Sequence, residues 1–424
     1  LEVCKKYMDA SPAVRLKYAD KYFGISNYTD YAKWENICIG RYKIISEIEK
    51  REKELQAWIA ANPERVAKYG KVIENLKNGY ASKAEITRIK ENFRESMVRG
   101  AEFVAIASRM NSMASSLKKA GKTKFSMEDK SVAEYVNKFA AKQYEESDIK
   151  ADRELFKVML GYYLKNVPSS FYDKEFKKMA EGLGNDPIKI ADYVYDNSII
   201  TDSLRLRNFF NSERTIEELL ADPVITVVKT TGIIPYNKVE DRILDSLNVS
   251  LGKEKTLYTK ALYEMYKEKG KAISPDANST MRVTFGEVGP IEPADGIYYH
   301  YQTTTKGIEE KYDPKNYEFN LKPEMQKKLE TSDWGRWGKN GKLYVNFLAD
   351  MDITGGNSGS AVLNGSGELI GLAFDGNRES MSGDVFFKEG YCKSVCVDIR
   401  YVMWVIEKYA GASNIIKELK INDK

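Results

Sequence analysis

Thr354-Gly355-Gly356-Asn357-Ser358-Gly359-Ser360 (residues 354–360), with Leu369-Ile370-Gly371-Leu372-Ala373-Phe374 (369–374) a short turn downstream, is the stretch on which the reading of this chain rests. Glycines on either side of a serine let the backbone adopt positive φ without a Cβ clash, so the hydroxyl can stand exposed on a sharp bend. A nucleophilic serine needs that bend, together with backbone N–H groups aimed at the oxyanion formed on attack. Ser358 is therefore the candidate nucleophile, and the amides of Gly356 and Ser358 are the candidate oxyanion donors. An ordinary glycine-serine turn between two strands is the plainer alternative for a pattern of this kind.

A serine hydroxyl becomes a useful nucleophile only when a neighbour removes its proton. The chain contains a single histidine, His300, in Tyr298-Tyr299-His300-Tyr301. An aromatic strand of this sort is a packing or surface environment for a histidine rather than that of a base. A lysine is the formal alternative within the chain. The simpler expectation places the base upstream of Leu1, a start that falls within a helical pattern and lacks both an initiator Met and a signal-peptide pattern.

Working outward from the serine, the grammar of the chain changes near Pro275. Of the 29 glycines, 12 lie in residues 1–275 and 17 in the remaining 149, so the second region turns far more often. Upstream, apolar residues recur at helical spacing over 34–60, 128–145, 151–164, 187–195 and 238–268. Asp186 and Pro187 supply a cap and a first helical residue. Ser82 with Glu85 reads as a capping box opening a helix toward Gly121, with Ile86, Ile89, Phe93 and Met97 as its apolar stripe. Downstream, short β-branched and aromatic runs predict strands at 281–288, 297–303, 343–348, 360–363, 369–374 and 394–397, then a helix over 399–409. Short strands joined by tight turns favour an antiparallel barrel or sandwich. The expected class is thus α+β, a large all-helical domain (1–275) followed by an antiparallel β-barrel with a C-terminal helix (276–424).

Composition excludes several classes. At 424 residues and 42% hydrophobic side chains, the chain can bury more than one core. Its 66 basic and 62 acidic residues give a net charge of only +4, a mixed surface that argues against a nucleic-acid partner. Cys4, Cys38, Cys392 and Cys396 have no zinc-ligand spacing, so no metal is expected; they are either bridged or buried thiols. No run of eighteen apolar residues occurs.

Several motifs in order carry a resemblance over essentially the whole chain. They are Ser11-Pro12-Ala13-Val14-Arg15-Leu16-Lys17-Tyr18, Ile25-Ser26-Asn27-Tyr28, Met281-Arg282-Val283-Thr284-Phe285-Gly286, the serine segment 354–360, Gly371 to Asn377, Met381-Ser382-Gly383-Asp384, and Val397 to Val402. The chain resembles the C-terminal portion of the bacterial dipeptidyl-peptidase seven and eleven family of chymotrypsin-like serine peptidases. That resemblance implies a periplasmic or secreted enzyme with a chymotrypsin-like double barrel. Residues 1–275 would cap the active site, 276–424 would form the second barrel, and the first barrel, with the histidine and aspartate, would precede Leu1. It implies removal of dipeptides from a free N-terminus, with Ser358 as nucleophile and Gly356 and Ser358 as oxyanion donors. Asp375 would hold the substrate ammonium, helped by Asn36 or, failing that, Asn27. Gly376 occupies the position that is arginine in members accepting acidic side chains, which implies a preference for hydrophobic ones. Arg378 stands where an aromatic residue is frequent, and Ala361 where proline is usual. No cofactor is implied; the partners are a peptide substrate, the upstream half of the same peptidase and, as an open option, a second copy in a homodimer. A silent peptide-binding protein on the same scaffold is the alternative.

Overall fold

Asn62, Asp148, Asp173, Asp186 and Asp202 each stand one residue before a helix and accept a hydrogen bond from a first-turn amide through the side chain. Each satisfies a donor that the helix itself cannot pair. This punctuation cuts the chain into a series of helices in a computed structural model, which describes residues 1–231, 238–271, 273 and 279–422. Two compact units result: residues 1–26 with 54–273, and residues 27–53 with 274–424. The expected boundary at Pro275 falls outside the described residues. The grouping differs from a division at that point, because residues 27–53 go with the second unit.

The first unit is helical. Its elements include the first half of α1 (Pro12–Arg41), α2 (Val72–Phe93), α3 (Glu102–Lys119), α4 (Ile149–Asn166) and α5 (Pro187–Asn197). Ile89 and Met97 are buried in its main core, and Ile86 and Phe93 pack against it, as the apolar stripe predicted. The capping box at Ser82 is a misreading. α2 runs without a break through that position, and Ser82 Oγ donates to the Asn78 carbonyl one turn back at 2.8 Å. A mid-helix serine has this alternative open to it. Nor does the helix reach Gly121 unbroken; it ends in a wide turn over 94–98, and α3 starts afresh at Glu102.

Asp152 on α4 replaces a local cap for α3. Its carboxylate accepts from the amides of Glu102 (2.5 Å) and Phe103 (3.2 Å) and from the Tyr195 hydroxyl (2.9 Å). Burial raises this carboxyl to about 6, against the opposing pull of those donors and of Lys21. Asp152→Ala leaves two amides and a hydroxyl without an acceptor, and buried donors of this kind cost about 1–3 kcal/mol apiece before relaxation. The variant is expected to lose about 2–4 kcal/mol of stability in urea unfolding followed by far-ultraviolet circular dichroism.

The second unit carries β1 (Ile291–Ala294) and β2 (Ile297–Tyr299), a small hairpin, then β3 (Gln302–Thr304), β4 (Tyr344–Ala349), β5 (Ala361–Leu363), β6 (Leu369–Gly376) and β7 (Ser394–Asp398). The last five form one antiparallel sheet in the order β3-β4-β7-β6-β5, and α6 (Ile399–Trp404) follows β7 directly. The α+β class holds, but the expected closed barrel of chymotrypsin-like type does not form. Both edge strands are three residues long and unpaired on their outer sides among the described residues. The segment 281–288, read as a strand, is not one: it pairs with the sheet by a single bridge from Val288 to Ala349, is further bonded to Asp350 and Asp352 just beyond β4 through Glu287 and Thr284, and leaves Met281 91% and Phe285 90% exposed. The run 297–303 splits between the hairpin and the sheet. All four cysteines are buried free thiols. No helix among the described residues is long and apolar enough to cross a membrane.

Candidate active site

Within the second unit, residues 354–360 bridge β4 to β5, and the bend at Ser358 is built from the inside. Asn357 Oδ1 accepts from the Thr354 amide (3.1 Å), the Thr354 carbonyl accepts from the Asn357 amide (3.1 Å), and the Asn357 carbonyl accepts from the Ser360 amide (2.9 Å). Gly356 and Gly359 take φ of +105° and +84°, backbone that a side chain would strain. The bend is then fastened to β6: the Gly359 amide donates to the Ala373 carbonyl at 2.7 Å, and the Ala373 amide to the Ser360 carbonyl at 3.0 Å. Ser358 is exposed, and its hydroxyl reaches the Phe374 carbonyl at a long 3.4 Å.

These bonds use the amides of Asn357, Gly359 and Ser360. The amides of Gly356 and Ser358, the two named as oxyanion donors, have no acceptor among the described residues. Two idle N–H groups flanking an exposed hydroxyl can receive an oxygen anion, the requirement for acyl transfer.

β6 carries a bulge beside the serine. Its register against β7 shifts between Ala373 and Asp375, so that Phe374 is the extra residue. A bulge re-aims the side chains after it. Asp375 emerges exposed, its carboxylate accepting from the Gly376 amide at 2.8 Å and having no cationic partner among the described residues. The structure thus brings Gly356, Ser358, Asp375 and Gly376 onto one short stretch of the sheet. It does not bring Asn36 to them by any bond: Asn36 is exposed on α1 and its amide turns back to the Ala32 carbonyl at 2.8 Å. Asn27 is also exposed. At Gly376 a Cβ would come within 2.5 Å of Ser380 Oγ and 3.8 Å of the Met381 methyl, so the missing side chain is matched by neighbours rather than by open space. His300 is exposed in the link between β2 and β3; its Nδ1 accepts from the Gln302 amide at 3.1 Å and its ring stacks on Tyr301. No bond joins it to Ser358.

Sequence reasoning gave no role to two residues that hold the bend, Asp384 and Tyr31. Asp384 accepts from Thr354 Oγ1 at 2.8 Å with one oxygen and from the Tyr31 hydroxyl of α1 at 3.1 Å with the other. Burial, reinforced by the Asp384 charge, pushes the Tyr31 hydroxyl up to about 12, so at neutral pH it is a donor. Asp352, two residues before Thr354, is also raised, by burial first and then by Asp384. Asp384 had appeared only inside a matching motif, and neither its spacing nor its neighbours in sequence signalled a tether. Asp384→Ala is expected to speed amide exchange in the peptide covering 354–360, read by hydrogen–deuterium exchange. Unchanged exchange there would mean the sheet bonds and the bonds through Asn357 hold the bend without Asp384.

An exposed serine with idle amides beside it lies on a glycine bend fastened to an antiparallel sheet, within an α+β scaffold. The chain belongs to the Peptidase S46 family, whose profile matches residues 1–421. Among curated proteins it is similar to dipeptidyl-peptidase 7 of Porphyromonas gingivalis, 33% identical over 423 residues, covering 99% of this chain and 57% of that protein. It is also similar to an Asp/Glu-specific dipeptidyl-peptidase of Capnocytophaga gingivalis, 30% identical over 433 residues, covering 99% of this chain and 58% of that one. Among solved structures, DPP11 of Porphyromonas endodontalis in complex with the dipeptide Arg-Glu shares the fold with a TM-score of 0.85. Identity there is 24%, and the match covers 98% of this chain and 58% of that one. The chain thus spans about 57% of the length of the curated relative from P. gingivalis.

Proposed function

We propose that these residues are part of a serine exopeptidase that releases dipeptides from the free N-terminus of peptides through an acyl-enzyme at Ser358. The observation that carries this reading is the pair of idle amides at Gly356 and Ser358 beside an exposed hydroxyl. Family membership and the dipeptidyl-peptidase names of the relatives support it. The general base that Ser358 needs is not among its bonded neighbours. We assign the base, with its orienting aspartate, to a part of the protein outside these residues, in keeping with the greater length of the relatives. Such a part would also supply the other wall of the cleft.

In the proposed reaction, Ser358 Oγ attacks the carbonyl carbon of the substrate's second residue, its proton passing to that base. The resulting oxyanion is received by the Gly356 and Ser358 amides, the amine leaves with the proton, and water releases the dipeptide. Asp375, with no cation of its own, pairs with the substrate ammonium, which fixes the cut two residues in. Asn36 or Asn27 would assist it after a change of side-chain rotamer. At the side chain before the cut, Gly376 carries no charge and the Met381 methyl lies near it, which favours hydrophobic residues.

In the full-length protein, Ser358→Ala should reduce kcat/KM on fluorogenic dipeptidyl amides by about a thousandfold or more, the scale on which a nucleophile acts. Activity surviving within about tenfold would reject Ser358. Asp375→Asn should raise KM far more for substrates with a free N-terminus than for the same peptides acetylated there. Leu before the cut should be turned over faster than Glu; the reverse order would reject the hydrophobic preference.

A further inference from the structure

The two idle amides of the bend are not held in the same way. The Ser358 amide stands next to Gly359, whose own amide is bonded into β6, and the Ser360 carbonyl is bonded there too. The Gly356 amide has no such neighbour. Gly355 and Gly356 are consecutive glycines with nothing within 4 Å of where a Cβ would stand at either, so neither a side chain nor packing fixes their backbone. Their position is inherited from the residues at either end, Thr354 and Asn357. The backbone bonds of Thr354 go to Asn357, inside the bend itself. Among the described residues, the hydroxyl of Thr354 makes its one bond to anything outside 354–360, and that bond goes to Asp384 at 2.8 Å.

Asp384 is itself placed by its surroundings. It lies in a turn opened by the buried Ser382, whose carbonyl accepts from the amides of Val385 (3.0 Å) and Phe386 (2.8 Å). Phe386 packs on the buried cluster of Cys38, Tyr42 and Ile44. The second oxygen of Asp384 accepts from the Tyr31 hydroxyl at 3.1 Å. Tyr31 stands on α1 two helical turns before Cys38, so the donor is carried by the helix that the same cluster anchors, within one unit. With one oxygen on Thr354 and the other on Tyr31, the carboxylate cannot turn without breaking one of the two bonds.

We propose that Asp384 and Tyr31 are positioning residues for the oxyanion step: acting through Thr354, they set the Gly356 amide where it can receive the oxyanion. This rests on the dipeptidyl-peptidase reading of Ser358. An oxyanion donor stabilises the transition state only if it is aimed, before reaction, at the place where charge develops. Misplacement on the order of 1 Å can cost about a hundredfold in rate. The ground-state carbonyl draws less on the same donor, so a loss of aim is read in kcat rather than in KM. The Ser358 amide, fastened through Gly359, keeps its aim when the tether is cut, which leaves the reaction slowed rather than abolished.

The test uses the full-length protein and a fluorogenic dipeptidyl amide with Leu before the cut. Thr354→Val keeps the shape of the side chain and removes the hydroxyl; it should lower kcat by about tenfold or more while KM stays within about threefold. Thr354→Ser, which keeps the hydroxyl, should retain most of the kcat that Thr354→Val loses. Asp384→Ala should fall about as far as Thr354→Val, and the double variant no further, since both changes break one bond. Tyr31→Phe, which frees Asp384 without touching the bend, should lower kcat in the same direction by a smaller factor, about threefold. Losses that multiply in the double variant, or that fall on KM with kcat unchanged, would overturn the positioning role. A kcat within about twofold of the unaltered protein for Thr354→Val or Asp384→Ala would overturn it too, and would leave the peptidase reading in place. Tyr31→Phe with unchanged kcat would overturn the part given to Tyr31. If the unaltered protein turns over no dipeptidyl amide, the peptidase reading falls and this one with it.

Discussion

The reciprocal bonds between the bend and β6, Gly359 amide to Ala373 carbonyl and Ala373 amide to Ser360 carbonyl, are the constraint on which the site depends. They place Ser358 beside the bulge at Phe374 and consume the Gly359 amide, while the Gly356 and Ser358 amides stay idle. Two such bonds are not sufficient alone. Each nets about 1 kcal/mol, while ordering a residue of backbone costs about 1–2 kcal/mol. The remaining restraint comes from bonds internal to the bend through Asn357 and from the tether of Thr354 to Asp384. Asn357 serves both as acceptor for Thr354 and as the backbone turn before Ser360, so an alanine there would remove the side-chain half of the restraint.

The bulge has a second consequence. An uninterrupted β6 would place residues 374 and 376 on one face and 375 on the other. With Phe374 as the extra residue, Asp375 pairs with Val395 and Gly376 with Ser394, and the strand ends where Asn377 turns its amide inward. A half-buried amide with its oxygen and nitrogen both bonded cannot be flipped without cost, since each lost partner leaves a polar group stranded. Asn377 therefore ties the end of β6 to residues 391–393.

How much of this was legible in sequence follows from whether the cause is local. The helix start at Asp186 and the stripe of Ile86, Ile89, Phe93 and Met97 depend on neighbours within a turn or two, and both are present. The glycine bend at 354–360 was legible for the same reason: positive φ at Gly356 and Gly359 is written into the residues. The capping box failed because Ser82 has two local options, and only the preceding turn of α2 decides between them. The strand at 281–288 failed because an alternating apolar pattern states a capacity to pair, and pairing requires a neighbour that sequence does not name.

The segment 27–53 makes the same point at the scale of a unit. Its helical pattern predicts a buried face and is silent about what buries it. Cys38, Tyr42 and Ile44 form a small buried cluster with Phe386 and Tyr391, residues more than 340 positions away, and the Tyr42 and Tyr391 rings lie 4.5 Å apart. From that anchored segment Tyr31 reaches Asp384 and Trp34 lies beneath Arg378. The helical segment thus contributes to the bend through Tyr31 and Asp384. That contribution has no local signature, because it arises from packing on the strand–loop region between Gly376 and Ser394, and that packing, rather than helical content, is what assigns 27–53 to the second unit.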